Sequence, residues 1–309
     1  MKKLALLLGA LSLVSSVAYA KEVVPAVEEV VVVEEVKPVE AAPALRVTSV
    51  GQYIEIDNES HATDGDIGEV MFGNSVGLAY GDNWTFGLMA RKTWIMDTDN
   101  GTHSNNHRID LDAWRNFENF SVGTRWRSQK DYDRLYGRVK YNYGMFDGWV
   151  DVAYQFNNTS EGNDAWYSEA EPIALTVGPL RFAYYYELTK GIESADIANA
   201  VKPADFKEDD IVHQLRVSAP IYKGEKLSLG LEYRWQFAHD EEYDDAYKSG
   251  WQERTEHIGI VSAAYKVTEN LTVDGYYRYD FQDYEGKDGA KDADKDYYGE
   301  FYAGWTYTF

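Results

Sequence analysis

The chain closes on Tyr297-Tyr-Gly-Glu-Phe-Tyr-Ala-Gly-Trp-Thr-Tyr-Thr-Phe309. One parity of this stretch reads Gly299, Phe301, Ala303, Trp305, Tyr307 and Phe309; the other reads Glu300, Tyr302, Gly304, Thr306 and Thr308. Successive side chains of a strand point to opposite faces, so the first set makes an apolar, aromatic face and the second a small or polar one.

The same period of two recurs upstream. Leu180, Phe182, Tyr184, Tyr186 and Leu188 alternate with Arg181, Ala183, Tyr185, Glu187 and Thr189. Leu227, Leu229, Leu231, Tyr233, Trp235 and Phe237 alternate with Ser228, Gly230, Glu232, Arg234 and Gln236. Leu271, Val273, Gly275, Tyr277, Tyr279 and Phe281 alternate with Thr272, Asp274, Tyr276, Arg278 and Asp280. Reading on this basis gives strands over 45–57, 67–80, 84–96, 107–116, 119–130, 133–144, 148–158, 164–176, 180–190, 208–219, 226–238, 254–266, 271–284 and 296–309. Short links (81–83, near Asn116, 145–147, 178–179, 223–225, 268–270) alternate with longer ones (58–66, 97–106, 159–163, 191–207, 239–253, 285–295), the exception being 131–132. Short turns at one end and long loops at the other are the habit of membrane barrels. The expected fold is all-β: a transmembrane, antiparallel, up-and-down β-barrel of about fourteen strands, with twelve as the alternative count. A soluble β-sandwich would also alternate, but its apolar face would mix Val, Ile and Leu instead of ending each strand on Tyr, Trp or Phe.

The N-terminal residues agree. Lys2 and Lys3 precede the apolar run 4–17, and Ala18-Tyr-Ala20 is a small-x-small cleavage site, so residues 1–20 read as a secretory signal peptide. Residues 21–44 are a Val/Glu/Pro leader broken by Pro25, Pro38 and Pro43, read as an extended periplasmic segment that a docking role in the barrel mouth would replace. The barrel then occupies 45–309. No later segment is apolar for long enough to be a membrane helix. A mean hydropathy of −0.50 does not argue against a barrel, in which only alternate residues meet lipid. With 0 Cys there is no disulfide framework. A formal charge of −22 argues against nucleic-acid binding and for attraction of cations.

If the aromatic parity faces lipid, the other parity lines the interior. It carries Arg91, Arg125, Arg127, Arg138, Lys140, Arg181, Arg216, Arg234 and Arg278, with Asp110, Asp112, Glu169, Glu187, Glu232, Asp274 and Asp280. Fourteen strands enclose more space than side chains fill, so a water-filled lumen is expected. The charges read either as a mutually paired lining or as a basic track for anionic solutes, densest at Arg125, Arg127, Arg134, Arg138 and Lys140. Tyr136, Tyr185 and Tyr276 offer stacking surfaces for sugar rings. The segments 205–210, 238–245 and 287–296 are acidic and read as solvated outer loops; Asp294 and Asp296 lack the Gly and distal Glu of a calcium loop. Neither a metal nor another cofactor is expected. His61, His103, His107, His213, His239 and His257 are the histidines, with His103 and His107 placed in or beside an outer loop, and no Ser–His pair can be placed at a lipid-side rim. An enzyme is therefore not expected.

The pattern resembles Gram-negative outer-membrane porins. Met1-Lys-Lys-Leu-Ala-Leu-Leu-Leu-Gly-Ala10 followed by Lys21-Glu-Val-Val-Pro25 is similar to the start of the fusobacterial major porin family. The barrel region is also similar to small porins that take up acidic oligosaccharides. The resemblance implies an outer-membrane location with both termini periplasmic and passive diffusion of small hydrophilic solutes and ions, to which the basic track adds a preference for anions. It implies Phe309, Tyr307 and Trp305 as a signal to the barrel-assembly machinery, and outer-membrane lipid and lipopolysaccharide as surroundings. The alternative is an adhesin or structural envelope protein with a closed barrel. The oligomeric state is left open.

Overall fold

In a computed structural model of the chain, the described residues are 44–59, 68–97, 101–158, 164–192, 207–243, 251–287 and 296–309. The segments read as signal peptide and leader, up to residue 43, His61 and the acidic residues 205–206, 244–245 and 288–295 lie outside them, whereas 207–210 and 238–243, read as outer loops, belong to strands.

The described residues form strands β1 (Leu45–Glu59), β2 (Gly68–Tyr80), β3 (Trp84–Asp97), β4 (Gly101–Asn116) and β5 (Phe120–Gln129). They continue as β6 (Tyr132–Tyr143), β7 (Phe146–Asn157), β8 (Ala165–Val177), β9 (Leu180–Gly191) and β10 (Lys207–Lys223). β11 (Leu227–Tyr243), β12 (Trp251–Lys266), β13 (Leu271–Lys287) and β14 (Asp296–Thr308) complete the set. Each strand pairs antiparallel with its sequence neighbours, and β1 pairs with β14 from Ser49↔Thr308 to Glu59↔Tyr298. The sheet is therefore a closed barrel of fourteen strands with no free edge.

Chemistry divides the two faces. Phe72 (40% exposed), Trp126 (40%), Leu231 (48%) and Val261 (54%) stand outside, whereas Asp110 (2%), Asp151 (4%) and Asp280 (1%) are buried. The polar face is the concave one. Asp112 on β4 reaches Arg138 on β6, and Glu171 on β8 reaches Arg216 on β10, in each case past an intervening strand. Only the inside of a closed sheet brings alternate strands that close. The result inverts a soluble protein, and an apolar belt of this extent needs surroundings other than water.

The turns 81–83, 117–119, 144–145, 178–179, 224–226 and 267–270 lie at one end of the barrel, whereas the two-residue link 130–131 between β5 and β6 lies at the other. Three of the former rest on glycines with φ no other residue adopts cheaply: Gly81 (φ 56), Gly144 (φ 73) and Gly178 (φ 60). The turn between β6 and β7 sits at Gly144-Met145, so Phe146 and Asp147, read from sequence as turn residues, open β7. β4 begins at Gly101 and not at 107, which brings His103 onto the strand with His107. β10 runs to Lys223, past Pro220, which pairs with Gly230, and a register shift between Pro220 and Tyr222 leaves Ile221 as the extra residue beside it.

The charged inner wall as candidate functional site

Register decides what the inward charges do. β4 presents Asp110 and Asp112 on one face, and β5 presents Arg127 and Arg125 directly opposite them. Arg127 donates from Nε and Nη2 to the two Asp110 oxygens at 3.0 and 3.2 Å. Arg125 does the same to Asp112 at 2.9 and 3.0 Å. Arg108 adds a bond to Asp110 at 2.6 Å. On the next strand, Arg138 faces Asp151 across the β6–β7 pairing, donates to it at 2.8 Å and also bonds Asp112. These forked contacts hold each carboxylate between guanidinium planes. Lys140 lies over the Trp114 ring at 4.5 Å.

A second cluster joins β6 to β10. Arg134 lies 3.6 Å over the Tyr167 ring, and Arg216 lies 3.5 Å over the Tyr185 ring. Between the two rings, Glu169 and Glu187 are direct cross-strand partners. No guanidinium bridges them among the described residues. Instead the Tyr167 hydroxyl lies 3.0 Å from Glu169 and 3.1 Å from Glu187, and the Tyr185 hydroxyl lies 3.1 and 2.8 Å from the same pair. Arg216 donates to Glu171 at 3.0 Å, and Arg181 reaches Glu171 at 2.7 Å and Asp147 at 2.6 Å.

The wall from β10 round to β1 is more open. Arg234 pairs with Glu232 at 2.5 Å. Arg278 donates to Asp280 at 2.9 Å and lies 3.5 Å from Glu300. Tyr276, Tyr302 and Tyr53 form a stack, with centroids 5.0 and 5.4 Å apart. Gly73 makes room for it, since a Cβ there would meet the Tyr53 ring at 2.1 Å. Next to the stack, Ser218, Ser228, Gly230, Ser262 and Ala264 leave a cavity of about 860 Å³. Asp274 faces this cavity between Ala264 and Gly304, its register partners, and has no ion-pair partner among the described residues.

All the charged residues singled out from sequence lie on the inward parity, Arg91 included, 3.9 Å from Glu55. They do not form one site. Arg125, Arg127 and Arg138 share one network, Arg181 and Arg216 share Glu171, and Arg234 and Arg278 border the cavity. Sequence reasoning missed Arg108, Asp147, Asp151 and Glu171. Arg108 and Asp151 were recoverable from parity. Glu171 was recoverable in the same way, two residues from Glu169, whereas Asp147 was hidden by the turn assignment. The histidines serve other ends: His213 Nδ1 lies 2.8 Å from the Tyr184 hydroxyl and His257 Nδ1 lies 2.7 Å from that of Tyr233, both on the outward face, while His239 meets Asp210 at 2.9 Å.

No protein-family model and no curated protein matches the sequence. Solved structures do match. A bacterial polysaccharide outer membrane secretin superposes with a TM-score of 0.50, at 10% identity, over 84% of this chain and 98% of that one. An anion-selective porin from Comamonas acidovorans gives 0.43, at 12% identity, over 86% and 100%. The outer membrane channel DcaP of Acinetobacter baumannii gives 0.42, at 11% identity, over 87% and 98%. At these identities the likeness is one of fold.

Proposed function

We propose that this protein is an outer-membrane porin through which small hydrophilic solutes and ions diffuse passively. One observation carries the reading: a polar, charged inner wall bounds open space inside a barrel wrapped in an apolar belt. Selection in such a conduit is steric and electrostatic, performed by lining side chains with no turnover. The start of β1, the end of β14 and six of the short turns share one rim, which the reading places in the periplasm, with residues 1–20 removed and 21–44 leading into β1. Tyr307, Trp305 and Phe309 fit a terminal strand presented to assembly machinery and then to the lipid interface.

The preference for anions expected from the basic residues is not part of the proposal. Arg125, Arg127 and Arg138 spend their forks on Asp110, Asp112 and Asp151, while Arg134 rests on the Tyr167 ring and Lys140 on the Trp114 ring. Carboxylates that make no ion pair among the described residues, Asp274, Glu169 and Glu187 among them, favour cations instead.

The test is single-channel recording of the folded barrel in planar bilayers. Discrete conductance steps are expected. Silence from protein that still shows heat-modifiable mobility would overturn the porin reading and favour a closed envelope scaffold or adhesin.

A further inference from the structure

Register lays out the floor of the cavity in rows. Nearest the rim of short turns, Ser228, Ala264, Asp274 and Gly304 are successive cross-strand partners on β11 to β14. The next row is Gly230, Ser262, Tyr276 and Tyr302, and the one after it Glu232, Ile260, Arg278 and Glu300. Arg234 stands one row further on, opposite Ile258. Most charges bordering the cavity are engaged: Arg278 lies between Asp280 and Glu300, and Arg181 is held by Asp147 and Glu171. Two are not. Asp274 makes no hydrogen bond and no ion pair among the described residues, and its small row neighbours leave it open on both sides. Arg234 donates from Nε to Glu232, and its two terminal nitrogens donate to nothing among the described residues.

Because Nε reaches back to Glu232, the Arg234 guanidinium leans over the cavity with its fork of terminal N–H groups unengaged. From the Glu232 row to the Asp274 row is four residues, roughly 13 Å, and β11 to β13 adds roughly 10 Å across the sheet; with both side chains reaching over the hollow, the two charges stand roughly 10–15 Å apart. The floor between them is small and polar. The hydroxyls of Ser218, Ser228 and Ser262 make no hydrogen bond among the described residues, and each both donates and accepts. Gly230 keeps this floor low, since a Cβ there would lie 2.7 Å from Ser262 Oγ. Tyr276, backed by Tyr302 at 5.0 Å, forms one side.

We propose that this hollow is a binding subsite for short zwitterionic peptides, with the terminal ammonium at Asp274 and the terminal carboxylate on the Arg234 fork. The proposal rests on the porin reading above and names the solute class of the same lumen. An extended peptide of about four residues spans roughly 13 Å, which matches the separation of the two charges. The planar fork suits a carboxylate, and the serine hydroxyls answer the donors and acceptors of the peptide groups between the ends. A neutral sugar leaves both charges unanswered, and a single amino acid is too short to reach both. The two ends stay hydrated, so the peptide is held weakly enough to leave, as conduction requires.

The test is single-channel recording of the protein purified from membranes, with tetraalanine added on one side. Tetraalanine is expected to interrupt the current in events whose frequency rises with its concentration. Alanine, and tetraalanine capped by acetyl and amide groups, are expected to give shorter events. Asp274→Asn and Arg234→Gln should each shorten the tetraalanine dwell time by about fivefold, and leave that of the capped peptide as it was. Arg234→Lys, which keeps the charge and loses the fork, is the second variant at that position and should shorten it as well. The proposal is overturned if capped and free tetraalanine dwell equally long, if Asp274→Asn leaves the dwell time unchanged, or if neither arginine variant shortens it. A folded protein that shows no conductance steps would instead overturn the porin reading on which the proposal rests.

Discussion

Asp110 is almost wholly withdrawn from solvent yet lies within reach of three guanidinium groups, those of Arg108 at 2.6 Å, Arg127 at 3.0 Å and Arg125 at 3.7 Å. Removing one partner of such a group strands the opposite charges where water solvates them poorly. Asp110→Ala is expected to destabilise the barrel by about 3–5 kcal/mol, read from the urea midpoint of unfolding in detergent. Asp110→Ala/Arg127→Ala should cost less than the sum of the single changes, because the second substitution removes a charge the first has stranded. Asp274 is the opposite case. It faces open space with no ion-pair partner among the described residues, so Asp274→Asn should leave the unfolding midpoint within about 0.5 kcal/mol of wild type. Its expected effect is on conduction: the reversal potential in a KCl gradient moves towards zero as a cation-attracting charge is lost. An unmoved reversal potential would take Asp274 out of the ion path.

At the scale of elements, strand positions were legible wherever the strand crosses the apolar belt, because there one parity must be greasy. β3, β5, β9 and β13 begin within two residues of where alternation puts them. The signal stops where the sheet leaves the belt. Gly101-Thr-His-Ser-Asn-Asn-His107 is polar on both parities, yet its first residues pair with the end of β3 through Asp97↔Gly101 and Ile95↔His103. β11 and β13 extend past their expected ends for the same reason. The β4 overhang offers no apolar face, so amides of 101–107 are expected to exchange with deuterium faster than those of 109–116 on the same strand. The candidate site was half legible. Parity put the arginines on the correct face, but whether they are free depends on register. Nothing in the one-dimensional pattern shows that Arg125 stands opposite Asp112 and Arg138 opposite Asp151. Gly73 belongs to this scale as well. Gly73→Ala should displace Tyr53 from the Tyr302 stack, which would appear as altered near-ultraviolet circular dichroism with the barrel still folded.

For the whole molecule, the sign of selectivity follows from the balance of the inner wall. Most of its arginines pair with carboxylates, Arg134 and Lys140 rest on aromatic rings, and Glu169, Glu187 and Asp274 make no ion pair among the described residues. Wild-type pores in a KCl gradient are therefore expected to reverse on the cation side, more steeply at low ionic strength, where screening lengths exceed the dimensions of the lumen. A reversal on the anion side would mean that the arginine–carboxylate pairs open during conduction. The β1–β14 pairing has a consequence of its own for how the chain reaches this state. Every other ladder joins neighbours in sequence and can zip up locally, but this seam ties residue 49 to residue 308. Joining points that far apart costs on the order of 5 kcal/mol in loop entropy, and the cost falls on a single step. An open, curled sheet should accumulate before closure, and a circular permutant that joins the two seam strands by a short turn and opens the chain at Gly178-Pro179 would move that slow step to the β8–β9 ladder.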